Sequence, residues 1–447
     1  MLFWSLPVQH NIFGDTTYRL AEVAADDPPG GSFYTRHTQD PLVRYYLHQS
    51  FHSWWGWTPE QSYTSISAGL GIAYLLALLA ISRRLGRTAA EQILLFGAAS
   101  TSGYMLLFFG YVETYSSVLA TVMLFLWATL KYADGEVGLW LPAATLLPVG
   151  GSHLLALFPA PALLCAVLYR HGWHLRLHLR PWPHARLRLE TMPLLVISST
   201  VAWWALFQLV RPGSVVPLLT SAEHIPYTVF DPIHLAEIAN QHMLVALPAW
   251  MALFLAVWVG RRDPDRVQPP GRHPRSGRRA DSERVEKNRD PKAELLAVSA
   301  LVSGCMMAVV NPALGRLDWD LMSMHAPVWV LAATHFFITR CRRSQIPVSA
   351  RVTAVILMLS LAHTAPWIVL QQYPNKVVTS IEAMIRWDLH RHGDRILKLG
   401  VRLEDMGFTK AAIRQYKKAV GWGGVARISA TTTWAERCRN SGVTTPP

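Results

Sequence analysis

"RHGWHLRLHLRPWPHARLRLE" occupies residues 170–190, and the side of the membrane it faces decides how the rest of the chain is threaded. Arg, His, Leu and Trp are mixed in it without an apolar run long enough to cross a bilayer, so it reads as a segment lying on anionic lipid. Around it, apolar stretches recur along most of the 447 residues. The chain is 51% hydrophobic and only 16% charged, with 18 Trp. A soluble chain carries about a quarter charged residues, so this composition excludes that class and indicates a polytopic helical membrane protein.

Ten membrane segments are expected, at about 64–82, 92–110, 115–131, 137–149, 152–169, 191–210, 242–259, 293–310, 325–340 and 350–371. The fourth is short for a perpendicular crossing. It is bounded by Pro148, Gly150 and Gly151 and could instead form one broken helix with the fifth. Charge decides between the two. With ten crossings, 83–91, 132–136, 170–190, 260–292 and 340–349 share one side, and with the segment edges they hold about 24 Lys and Arg against about five opposite. Merging the short pair would send 170–190 to the wrong side. The expectation is therefore an all-α polytopic membrane bundle of about 10 helices, with the basic side cytoplasmic. This threading starts the chain outside. "MLFWSLPVQHNIFGD" then reads as the outer end of a helix whose beginning is absent, so a first helix is expected to be missing. No signal-peptide pattern opens the chain.

The segments divide the chain into a first extracytoplasmic loop (1–62), two bundle parts (63–259 and 293–371), a linker (260–292) and a tail (372–447). The linker, "GRRDPDRVQPPGRHPRSGRRADSERVEKNRDPK", lacks apolar periodicity and reads as disordered. It and the membrane-surface segments account for much of the net charge of +13, so nucleic acid is not an expected partner. His171, His174 and His178 have helical spacing, but the arginines among them oppose a cation. Of the four cysteines, Cys165 and Cys305 lie in apolar runs and Cys341 and Cys438 are isolated, so no disulfide framework or CxxC metal site is read. In the tail, "GDRILKLGVRLEDMGFTKAAIRQYKKAVGWGG" sets Leu399, Gly400, Leu403, Gly407, Ala412, Tyr416 and Ala419 at the small and large positions of a tetratricopeptide unit, about 393–426. A plain helical hairpin fits as well. One such unit cannot bury its own face and must lean on the bundle or on a helix near 376–392.

The outer side collects polar residues from separate hairpins. Asp15, Arg19 and Glu22 lie in the first loop, Glu113 in "GYVETYS" and His153 in "VGGSHLLALFPAP". Arg211, His224, Asp231 and His234 lie in 211–241, and Arg316, Asp318 and Asp320 in "NPALGRLDWDLMSM" (311–324). Each has an ordinary reading as a loop charge, a cap or a helix-dipole partner. Together they suggest a site at the mouth of a cavity, because Glu113 and Asp320 abut long apolar helices.

At these residues the chain resembles the integral-membrane glycosyltransferases of the GT-C superfamily, the polyprenyl-phosphate-sugar-dependent enzymes that include protein O-mannosyltransferases. The resemblance rests on "FGD" in the first loop, "GYVETYS", "GSHLLALFPAPALL", "PYTVFDPIHLAEIANQ" and "NPALGRLDWDLMS", with the outward repeat unit behind them. These motifs span most of 13–420, each short and degenerate. The resemblance implies a sugar donor on a polyprenyl phosphate, inverting transfer to an extracytoplasmic acceptor and a bacterial plasma membrane location. It makes Asp15 the base, although family members often carry paired acids where Thr16 follows here. Glu113 joins Asp15 as a catalytic candidate. Arg211, Arg316 and His234 would meet the phosphate, and His153, Asp318 and Asp320 the sugar or those cations. No cofactor is implied, beyond a divalent metal that the outer carboxylates could hold. The expected partners are the lipid bilayer, the donor lipid and a protein bound through the tail. Two other readings stay open, a transporter or lipid flippase and a non-catalytic membrane scaffold.

Overall fold

The computed structural model describes residues 2–8, 16–26, 28, 39–170, 201–202, 205, 219–220, 228–261, 290–310, 319–386, 392–405 and 407–421. Residues 262–289 of the linker, the 171–190 segment with its three histidines and most of the expected 191–210 crossing lie outside them. The described residues are helical, without a β-strand. In order they form α1 (Leu2–Ser5), α2 (Thr16–Ala24), α3 (Asp40–Trp55), α4 (Pro59–Leu85), α5 (Ala89–Ser100), α6 (Tyr115–Ala133), α7 (Trp140–Ser152), α8 (Ala160–Arg170), α9 (Pro232–Arg261), α10 (Pro291–Val309), α11 (Trp319–Ser323), α12 (Ala326–Arg343), α13 (Ala350–Leu370), α14 (Pro374–Arg386), α15 (His392–Asp405) and α16 (Thr409–Gly421).

Among the described residues six stretches are long and apolar enough to cross a membrane: α4, α6, α9, α10, the near-continuous 319–343 stretch and α13. Their ends follow local chemistry. Thr58 and Gln61 close a capping box in front of α4, and Thr88 and Glu91 close one in front of α5. Asp290 and Ser349 cap α10 and α13. Outward faces carry exposed Leu76, Leu147, Phe254 and Met358, the surface a lipid solvent demands. Buried Ser299 and Ser303 instead return their hydroxyls to helix carbonyls.

Two expected crossings are broken. The 92–110 run is helical only to Ser100, followed by a tight 3₁₀ turn over Gly103–Phe108. In α9 the backbone leaves helical geometry at Ala246, two residues before Pro248. Proline has no N–H to give the carbonyl four residues back, which is that of Leu244. Gly103 closes on this same carbonyl, so tightly that a β-carbon would collide with it. Each break sits against the other inside protein, the one place where non-helical backbone survives at membrane depth. α9 also begins about ten residues before the expected 242, because buried His234, Glu237 and Gln241 lower the hydropathy of its first turns.

Contacts at the helix ends sort into two faces. On one, Arg84 pairs with Asp134 and Glu136, Lys292 with Asp134 at 3.1 Å, and Arg342 with Glu91 at 2.6 Å. Arg170 joins them, donating to the Val137 carbonyl, and His335 meets Asp290. Burial works against ionisation of Glu91, but Arg342 and the backbone N–H groups of Arg87 and Thr88 outweigh it and hold that carboxyl below its ordinary range. On the opposite face Val8 donates to Phe109, Thr16 to Val112, Gln39 to Gly151, Tyr111 to Asp320 and the Gln372 side chain to Pro7. α7 spans only 13 residues, about 20 Å, yet it leaves the Arg170 end and its last turn reaches Gln39 on the far face.

Beyond α13, α15 and α16 pack as a hairpin. Gly400 lies against the Tyr416 ring, where a β-carbon would sit 2.6 Å from it, and Gly407 turns the chain at φ +80°. Leu403, Ala412, Tyr416 and Ala419 are buried there. The hairpin leans on α14, whose Glu382 takes Lys418 at 2.8 Å and also bonds Gln415.

The Gly103 contact gives a direct stability test. Gly103→Ala is expected to lose about 1–3 kcal/mol through overpacking, measured as thermal unfolding in detergent. Gly69→Ala, on α4 with open space around it, is expected to be neutral or to gain up to about 1 kcal/mol. Equal behaviour of the two variants would contradict the close approach.

Candidate functional site

The polar residues of the non-basic face gather on one turn, "FGYVETYSS" (109–117), which joins the 3₁₀ segment to α6. Gly110 permits the reversal by taking φ +82° beside Thr64. Three hydrogen bonds then pin the backbone. Ser67 donates to the Tyr111 carbonyl at 3.3 Å, Thr16 to the Val112 carbonyl at 3.3 Å, and the Glu113 N–H to the Tyr111 carbonyl at 3.1 Å.

Two buried arginines clamp the turn from helices early in the chain. Arg19 of α2 sets its Nε 3.9 Å from the Glu113 carboxylate and its Nη1 3.0 Å from Glu22. Burial opposes the charge on Arg19, but Glu113 and then Glu22 outweigh it, so its proton is held more tightly than usual. Arg44 of α3 binds Asp40 at 2.7 Å, donates to Ser116 at 3.1 Å and Ser117 at 2.9 Å, and covers the Tyr63 ring. One turn along α3, burial and then the neighbouring His52 lower the proton affinity of His48, whose Nδ1 lies 2.9 Å from the Ser62 hydroxyl.

The second carboxylate arrives from α11. The Tyr111 hydroxyl donates to Asp320 Oδ2 at 3.0 Å, and Asp320 also accepts the Leu321 N–H at 2.9 Å. Burial, with the Asp320 charge behind it, raises the Tyr111 phenol well above its ordinary value and keeps it a donor. Trp319 seals this contact, edge-on to Tyr111 at 5.2 Å and to Trp367 at 5.9 Å. His153 reaches the other end of the turn, its ring 5.9 Å from Tyr115. Its Nδ1 accepts the Leu155 N–H at 3.0 Å, so a neutral ring carries its hydrogen on Nε2.

Of the residues expected from sequence, Glu113, His153 and Asp320 thus meet at one turn. His234 is buried on α9, and the contact seen for it is a 2.7 Å bond from Nε2 to the Ala308 carbonyl, a tie between α9 and α10. Asp231 caps the start of α9 through the Ile233 N–H. Asp15, Arg211, His224, Arg316 and Asp318 lie outside the described residues. Tyr111 and Arg44 were not anticipated. Arg44 had one local signal, its spacing of four from Asp40 on a helix. Among the described residues no cluster of three or more metal-ligating side chains forms.

Three carboxylates (Glu22, Asp40 and Glu113) hold the two guanidiniums here, and a fourth, Asp320, reaches the turn through Tyr111. Such an acid-rich, largely dry setting suits hydrogen bonding to hydroxyl groups or proton acceptance more than anion capture.

If Arg19 and Glu113 act as a pair, Glu113→Gln and Arg19→Met should each cost about 3–5 kcal/mol, and the double variant clearly less than their sum. A double-mutant cycle of unfolding in detergent measures this, and additive losses would dissolve the pair.

No family model, curated protein or solved structure matches this chain.

Proposed function

We propose that the chain is an integral-membrane glycosyltransferase of the GT-C kind, moving a sugar from a polyprenyl phosphate to an extracytoplasmic acceptor with inversion. The observation that carries this reading is the convergence of Glu113 and Asp320, from separate hairpins, on one polar turn at the end of the bundle away from the basic face. Thr16, which follows Asp15 in the chain, donates to the carbonyl just before Glu113, in keeping with a base delivered by the first loop.

In the proposed reaction the acceptor oxygen attacks the anomeric carbon as Asp15 takes its proton. The bond from that carbon to the phosphate oxygen breaks, and polyprenyl phosphate departs with the electron pair. Charge on the leaving phosphate calls for cations. Arg211 and Arg316 are proposed for that work, because Arg19 and Arg44 already hold carboxylates. Glu113 then acts by holding Arg19 and the turn, while His153 and Asp320 face the sugar hydroxyls. The ten-crossing threading belongs to the proposal, and the opposed ends of α7 and α8 favour it. So does the tetratricopeptide reading of α15 and α16, favoured by the seat of Gly400 on Tyr416 and pointing to a protein acceptor or partner.

A transporter is the second reading, favoured by α9. That helix is broken at Ala246 and buries His234, Glu237, Gln241 and His242 along its outer half, with His242 bonded to His325 at 2.9 Å.

Purified protein given polyprenyl-phosphate hexoses and a pool of extracytoplasmic acceptors should transfer sugar. Asp15→Asn should lower turnover by about 10²–10⁴-fold with unfolding unchanged. Transfer absent from a broad donor panel, alongside substrate uptake into vesicles that His242→Ala abolishes, would move the transporter reading ahead.

A further inference from the structure

A long apolar groove runs down the outside of the bundle between α9 and α13, and no residue of the 109–117 turn lines it. It encloses about 480 Å³. α9 contributes Met243 before its break at Ala246 and, after the break, a stripe from Leu247 to Leu255 spaced along one helical face. α13, the most outward-facing of the six long apolar stretches, contributes the stripe from Arg351 to Ile356. Trp250, Phe254 and Val355 stand exposed along it. Arg351 is the single polar side chain in the lining, and it lies in the first turn of α13, at the basic face of the molecule.

The dimensions match one lipid chain. Beyond the break, the helix from Leu247 to Leu255 rises about 12 Å, most of the roughly 15 Å of one leaflet's hydrocarbon. The groove's charge matches too. Two arginines of this face, Arg342 and Arg84, are held by Glu91 and Glu136. Arg351 is exposed, and among the described residues no carboxylate pairs with it. A guanidinium at the headgroup level, above a wholly apolar slot, is built to grip phosphate oxygens while the chain below stays in hydrocarbon.

We propose that this groove is a binding site for an anionic glycerophospholipid of the basic-face leaflet, with one acyl chain between α9 and α13 and the phosphate on Arg351. The assignment needs only that the bundle spans a membrane, and it is independent of the glycosyltransferase reading. A polyprenyl phosphate offers similar chemistry, but the proposed donor presents its phosphate at the opposite face.

The test is native mass spectrometry of the full chain in detergent with phosphatidylglycerol, phosphatidylcholine of the same chains, or a polyprenyl phosphate. One phosphatidylglycerol should bind about tenfold tighter than phosphatidylcholine. Arg351→Gln should reduce phosphatidylglycerol to the phosphatidylcholine level, and Val355→Trp, filling the slot, should weaken both. Both positions are exposed, and circular dichroism checks that the variants stay folded. The proposal is overturned by equal binding of the two phospholipids to wild type, by unaltered discrimination in Arg351→Gln, by full binding to folded Val355→Trp, or by a polyprenyl phosphate displacing phosphatidylglycerol.

Discussion

Inside a bilayer every backbone N–H and C=O needs a partner from the protein, and this chain breaks that regularity at two places which it then stacks together. Pro248 frees the Leu244 carbonyl, and Gly103 brings the 3₁₀ segment onto it. Neither break is tolerable alone against lipid. Together they end α5 early and start the turn at Phe109, inside the bundle rather than beyond it. Tyr111, Glu113 and Thr114 are buried for that reason, and buried polar groups must be met by partners. Arg19, Thr16, Ser67 and Asp320 are those partners.

The same logic sorts the charges. On the basic face, Arg84, Lys292 and Arg342 bind carboxylates at helix ends that are partly wet, where each pair is worth little by itself. They set which helix end lies beside which, and so keep α4, α5, α6, α10 and α12 in register. On the opposite face the pairs of Arg19 and Arg44 are dry. Removing one member there strands a charge in low dielectric, so these pairs hold the turn rigidly.

Much of the bundle was legible in the sequence because its signals are local. An apolar run with Thr58 and Gln61, or Asp290, in front of it announces a helix wherever the chain ends up. The breaks were not legible. Hydropathy reads 92–110 as one run, since the residues of a buried 3₁₀ turn are as apolar as those of a helix. The early start of α9 was hidden for the converse reason, that buried polar side chains look like loop. Glu113 and Asp320 were visible as acids abutting apolar helices. That Asp320 meets Tyr111, 209 positions earlier, is a property of packing which no window of sequence contains. Arg19 looked like an ordinary loop charge, because its burial depends on Glu113, far along the chain.

The balance of charge at the turn bears on what it can bind. If the two guanidiniums faced a phosphate, they would have to leave the carboxylates they now hold. The Arg44–Asp40 pair at 2.7 Å, with both serines of α6 behind it, makes that exchange costly in a dry setting. A neutral polyol asks for no such exchange, since carboxylates already fixed by arginines keep lone pairs to offer hydroxyl groups. That balance supports the proposed placing of a sugar, rather than a phosphate, at the turn. In the proposed reaction the phosphate would meet cations flanking the turn, and Arg316, three residues before the buried Trp319, is in sequence the nearest to the Asp320 end.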